Sequence, residues 1–213
     1  MLPDATNLAL FVTAALVMLL TPGPAVTFII ARSIEQGRAA GLLTVLGIQS
    51  GVLVHIVAAT LGLSSLLLSS ALAFNVVKYA GAAYLIYLGV RTFMQPAEPP
   101  AEGVPVIENR WRIFRDGFVV CLLNPKTALF FFAFLPQFVN VQRGSVAGQI
   151  FVLGIIFLVM ATITDGLYAL AAGSAGQWLR THRGFLRAQR YVTGSVYIGL
   201  GLATALADAR RTK

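Results

Sequence analysis

Apolar residues run along this chain in six long blocks: Leu8–Ile34, Ala39–Leu63, Ala71–Phe93, Ile113–Phe138, Val146–Ala172 and Tyr191–Ala207. A helix crosses the hydrocarbon core of a bilayer in ~20 residues. Each block therefore predicts a membrane span, the last being the shortest. Polar residues are confined to the gaps between blocks. The longest gap, 95–110, carries Pro96, Pro99, Pro100 and Pro105 among Glu98, Glu102 and Glu108. Proline cannot continue a helix and carboxylates stay hydrated, so this gap reads as an exposed loop. It divides a single membrane domain, 1–213, into a three-helix unit at 1–94, a linker at 95–110 and a second three-helix unit at 111–213.

The two units resemble each other. Leu19-Leu20-Thr21-Pro22 matches Leu122-Leu123-Asn124-Pro125, and Gly37-x-x-x-Gly41 matches Gly144-x-x-x-Gly148. Further on, Lys78-Tyr79 matches Arg190-Tyr191 and Gly89 matches Gly201. The matches keep one order and their spacing grows slowly, as in a repeat that has gained a few residues. Three spans per unit is an odd number, so the second copy must sit inverted in the membrane, a recurrent build of secondary transporters. The predicted fold is thus an all-α integral membrane protein of six helices, made of two inverted three-helix repeats.

Composition agrees with this pattern. Of 213 residues, 57% are hydrophobic and 11% charged, and the mean hydropathy is +0.79; an ordinary soluble domain has roughly 25% charged residues. The net charge of +8 does not point to nucleic acid, because the basic residues lie in short gaps between apolar blocks, where they set membrane topology. With the N-terminus placed outside, the inner gaps hold Arg32, Arg38, Arg91, Arg110, Arg112, Arg115, Arg180, Arg183, Arg187 and Arg190. The outer segments hold only Arg143, Arg210, Arg211 and Lys213. The bias predicts both termini outside and the 95–110 linker in the cytoplasm, with the basic C-terminal tail against it. The N-terminus has Asp4 and no basic run, and its apolar stretch outlasts a signal-peptide core, so the first block is expected to remain as a span. The single cysteine, Cys121, cannot form an internal disulfide and reads as a small packing residue.

Two spans are interrupted near their middle, the first by Thr21-Pro22-Gly23-Pro24 and the fourth by Asn124-Pro125-Lys126. Proline removes a helical hydrogen bond and clashes with the preceding turn. The freed backbone groups survive at membrane depth only inside protein or beside a watery cavity. Interruptions at matching places of two repeats are the best pointer in a sequence to a transporter's binding site. Asn124 is a good N-cap and Pro125 suits the first helical position; Thr21 or Gly23 with Pro24 can do the same in the first span. Two helix N-termini meeting at the midplane would favour a carboxylate.

Lys126 lies about 12 residues from either end of its span, ~18 Å of helix, too far for comfortable snorkelling. Asp165 is the acidic residue well inside the fifth span. Charges at this depth are functional candidates. Either they face one site as counter-charges of a zwitterion, with Asp165 also able to carry a proton, or they form a salt bridge that only locks the bundle. Gln49 and His55 are secondary candidates for coupling, with packing roles equally open. Gly47 and Gly51 lie at four-residue steps before His55 and are expected to permit close helix contact. Phe130-Phe131-Phe132 reads as lipid-facing or packing sequence.

Enzyme signatures are missing: the chain has no H-E-x-x-H, no G-x-S-x-G and no P-loop. Ser50 and His55 are about 140° apart on a helix and do not pair on one face. One cysteine and one intramembrane histidine predict no metal site, and no cofactor is expected. A passive channel, or an exporter of another small solute or a metal ion, is the alternative. It would call for a ring of acidic or sulfur ligands that this sequence lacks.

Leu20-Thr21-Pro22-Gly23-Pro24, then Gly37 and Gly41, then Leu123-Asn124-Pro125-Lys126 followed by Phe-rich sequence and Leu135-Pro136-Gln137-Phe138, resemble the LysE/RhtB family of amino-acid exporters. The resemblance covers nearly the whole chain. It implies secondary-active export of amino acids or close derivatives from the bacterial cytoplasm, driven by the proton-motive force, by a homodimer in the inner membrane. Substrate contacts would fall at Thr21, Pro22, Gly23, Pro24, Asn124, Pro125, Lys126 and Asp165, and coupling at Gln49, His55 or Asp165.

Overall fold

The computed structural model describes residues 5–63, 109–142 and 144–181, with isolated positions between 76 and 94 and between 191 and 205. The third and sixth predicted spans and the 95–110 linker therefore lie largely outside the described residues. The first span is two helices, α1 (Ala5–Leu20) and α2 (Pro24–Gln36), bent by 47° at the break between them. The second is a continuous helix, α3 (Arg38–Ala58), which widens into a π-helical turn over Ala59–Leu63. The fourth is again broken, into α4 (Arg110–Leu122) and α5 (Pro125–Leu129), and α5 runs on through turns to Phe138. Its bend is also 47°. The fifth is α6 (Val146–Thr181). Arg38–Gly62 and Val146–Ser174 are each long and apolar enough to cross a membrane unbroken.

The repeat is visible in the backbone. The positive-φ residues among those described are Gly37 (φ 86°) and Gly144 (φ 95°), the very glycines matched in the sequence. Each precedes the helix that follows a broken span, where the left-handed conformation is open to glycine at little cost. At the breaks, Thr21 N donates to Met18 O (3.2 Å) and Asn124 N donates to Cys121 O (3.0 Å), so the same tight turn ends α1 and α4. The first break is one residue longer. Pro24, not Pro22, therefore starts α2 as Pro125 starts α5.

The two broken spans run in opposite directions. Arg32, near the end of α2, reaches Asp116, near the start of α4, at 3.4 Å. At the other end, Phe11 of α1 meets Phe138 beyond α5, with ring centroids 5.4 Å apart. The second unit is thus inverted relative to the first.

Close packing positions α3 against α4. A Cβ added at Gly117 would stand 2.6 Å from Thr44 O, and one at Gly51 would stand 2.7 Å from the Cys121 Cβ. Gly47 abuts the Phe114 carbonyl. The glycines at 47 and 51 thus serve the close helix contact expected of them, and Cys121 is buried against one of them. The Phe-rich run is packing sequence: Phe130 and Phe131 are buried, stacking on or edging Phe157 at 4.5 and 5.3 Å. Exposed Leu46, Leu53 and Val57 on α3, and Val159, Ile163 and Leu167 on α6, form the apolar exterior that acyl chains cover.

Candidate functional site

Each break leaves the last carbonyls of one helix and the first N–H groups of the next without helical partners. The two breaks answer this differently at their N-terminal sides. Asn124 lies in the extended region and its side chain accepts from Lys126 N at 3.1 Å, capping α5. Gly23 is also extended but offers no side chain, so Pro24 begins α2 without a side-chain cap. Asn124 and Pro125 thus act as cap and first residue, and Gly23 with Pro24 is the equivalent pair in the first span.

The carbonyl ends are held across the repeat boundary. Lys126 Nζ donates to Met18 O at 2.8 Å and to Thr21 O at 2.6 Å, at the end of α1. His55 Nε2, in the tautomer that carries its proton there, faces Cys121 O at 3.3 Å, at the end of α4. Met18 and Cys121 are repeat-equivalent positions. A side chain of the second unit therefore braces the break of the first, and a side chain of the first braces the break of the second. A helix C-terminus carries partial negative charge, so a cation is well placed there. Thr21 is buried and its hydroxyl donates to Val17 O at 2.7 Å, closing a further carbonyl of the same turn. Tyr168 completes the set, its hydroxyl donating to Leu20 O at 2.9 Å.

Asp165 on α6 is 5% exposed and accepts from Gln49 Nε2 on α3 at 3.0 Å. It is close enough to interact electrostatically with Lys126, Cys121 and Tyr168. The structure thus brings Thr21, Asn124, Lys126, Gln49, His55 and Asp165 to one level of the bundle, around both breaks. All six are buried. His55 also stacks on Phe131 at 6.0 Å and edges Phe132 at 6.3 Å, which fixes its ring.

Lys126 does not simply wait for a substrate carboxylate: its ammonium holds the end of α1. Nothing in the sequence pairs residue 126 with carbonyls 105 and 108 positions earlier. Tyr168 also escaped notice, although its spacing of three from Asp165 places it on the same helical face. Among the described residues no group of three or more His, Cys, Asp or Glu side chains could hold a metal ion.

A model of the LysE type translocator family matches residues 16–207. The chain is 29% identical over 209 residues to the uncharacterized membrane protein YrhP of Bacillus subtilis, covering 94% of this chain and 99% of that one. It is 31% identical over 191 residues to a homoserine/homoserine lactone efflux protein of Salmonella typhimurium, covering 90% and 91% of the two chains. An uncharacterized membrane protein of Vibrio cholerae is 30% identical over 199 residues, at 93% and 96% coverage. No solved structure matches the chain. Broken, inverted spans and a family match over nearly the full length lead to one conclusion: the chain belongs to the LysE type translocator family, and is a multi-pass bacterial inner-membrane transport protein, not an enzyme.

Proposed function

We propose that this protein exports an amino acid or a close derivative from the bacterial cytoplasm, using the proton-motive force, by alternating access around the two breaks. The observation that carries the reading is the cluster of Lys126, Asp165, Gln49 and His55, all buried at the level where α1 and α4 end. Buried ionisable groups between inverted repeats are costly to keep unless they handle a charged cargo or a proton. The Salmonella relative named for homoserine and homoserine lactone efflux supports cargo of this chemical class.

In this reading the substrate lies between the breaks, against Thr21-Pro22-Gly23-Pro24, Asn124-Pro125-Lys126 and Asp165. The start of α2, which has no side-chain cap, offers N–H groups to an anionic oxygen. Asp165 carries the coupling proton or meets the cargo's positive group, and His55 and Gln49 follow its charge state. The unit boundaries at 1–94 and 111–213 are the bodies that rock against each other, joined by a cytoplasmic 95–110 linker.

Reconstitution into proteoliposomes tests this. Counterflow with a panel of radiolabelled amino acids is expected to reveal exchange of at least one, and an imposed proton gradient is expected to drive its net flux. Absence of exchange across the whole panel sinks the export reading. Net flux indifferent to the gradient removes the proton coupling.

A further inference from the structure

The polar groups at the level of the breaks do not balance. Lys126, Tyr168 and His55 are all engaged with backbone carbonyls. The buried hydroxyls of Thr44 and Thr164 donate to carbonyls of their own helices. Among the side chains between α3 and α6, what is left over is acceptors. Gln49 is 7% exposed, its amide nitrogen is committed to Asp165 Oδ2, and its Oε1 is buried with no hydrogen-bond partner among the described residues. Asp165 takes one donor from that amide among the described residues, whereas a carboxylate has about four acceptor positions. The orientation of the Gln49 amide follows from the carboxylate beside it: its N–H donates to Asp165, which leaves its carbonyl oxygen, on the same amide group, as the unpaired neighbour of that carboxylate.

Two buried acceptors on facing helices, one of them charged, call for a cation with several donors and no lone pair of its own. A primary ammonium has three N–H donors and no acceptor. A divalent metal wants six or more oxygen ligands, more than these two side chains supply. A carboxylate is repelled by Asp165.

We infer that Gln49 Oε1 and the Asp165 carboxylate together seat the cargo's primary ammonium group, so that the protein selects by a free amine and tolerates loss of the cargo's carboxylate. The inference deepens the export reading and rests on it. It agrees with the chemistry named for the Salmonella relative: homoserine and its lactone share the amine, and the lactone has no free carboxylate. Gln49 becomes a specificity-determining residue, reading the second N–H of the ammonium after Asp165 has neutralised its charge.

The test is competition in proteoliposomes against each labelled amino acid that exchanges. Every such parent is paired with its methyl ester, or the lactone for homoserine, and with its N-acetyl derivative. The ester or lactone is expected to compete within about tenfold of the parent, and the N-acetyl derivative at least a hundredfold more weakly. Gln49→Leu is expected to raise the KM for the parent about tenfold or more. The cargo series on the unaltered protein stands even if that variant does not fold. An N-acetyl derivative that competes as well as its parent overturns the ammonium seat while leaving export intact, as does an ester or lactone that fails to compete. Exchange of no amino acid at all sinks the inference together with the export reading.

Discussion

An ammonium at the middle of a span must be matched by oxygen, and in this protein the oxygens belong to the backbone. Lys126 grips Met18 O and Thr21 O, so its loss uncovers the Thr21 carbonyl and leaves Met18 O with only the turn's own bond from Thr21 N. An unmade hydrogen bond to a buried group costs about 1–3 kcal/mol. Lys126→Met is therefore expected to lower stability in detergent by ~1–3 kcal/mol and to abolish exchange. Adding Asp165→Asn is expected to restore neither, because Asp165 is not what Lys126 holds on to. Melting curves and counterflow on the two single variants and the double variant decide this. A double variant that regains both stability and exchange reduces the pair to a simple lock. The depth of Lys126 and Asp165 was readable from their place within apolar blocks. Their partners were not, since a side chain's reach to a backbone carbonyl more than 100 positions away leaves no periodicity in the sequence.

At the scale of elements, the Pro-Gly-Pro run and Asn124-Pro125 announced both breaks, because proline's geometry acts locally. Glycine spacing likewise announced the tight seam between α3 and α4. The π-helical turns at Ala59–Leu63 and Phe130–Phe134 had no such signal. The break itself is open to a direct test. Replacing Pro22, Gly23 and Pro24 together by alanine lets α1 run into α2, and a continuous helix satisfies the carbonyls of Met18 and Thr21 internally. Lys126 then loses its seat. Insertion should persist, because the apolar length is unchanged, while exchange falls at least tenfold in well-expressed protein. Unaltered exchange would reduce the break to a tolerated kink.

On the scale of the whole molecule, one face gathers the basic residues at the end of α2 and the starts of α3 and α4. There Asp116 is met by Arg32 at 3.4 Å and Arg115 at 3.1 Å, and Arg38 donates to Ser174 at 2.6 Å. This contact between the end of α2 and the start of α4 is what an inverted pair of repeats requires. In the orientation proposed from the Arg bias, this face lies in the cytoplasm. With Cys121 replaced by alanine, a cysteine at Gln142 is expected to react with an impermeant maleimide in intact cells, and one at Gln95 only after permeabilisation. The reverse labelling pattern turns the molecule over. The four described spans were legible because bilayer thickness imposes a length that sequence must obey, and the inversion of the two broken ones because their motifs repeat. The mutual bracing of the breaks was not, because it depends on how the two halves meet in three dimensions.

That bracing has a consequence for how the protein is made. Thr21 leaves the ribosome 105 residues before the lysine that will hold its carbonyl. At ~5–20 residues per second, the first broken helix waits about 5–20 s in the bilayer with its Thr21 carbonyl unanswered. During that interval water, lipid headgroups or the insertion machinery must supply the missing donors. The first three helices are accordingly an assembly intermediate that becomes a finished structure only on arrival of the second half. The carbonyls at the end of α1 are answered in order, Thr21 O when residue 126 arrives in the bilayer and Leu20 O when residue 168 does.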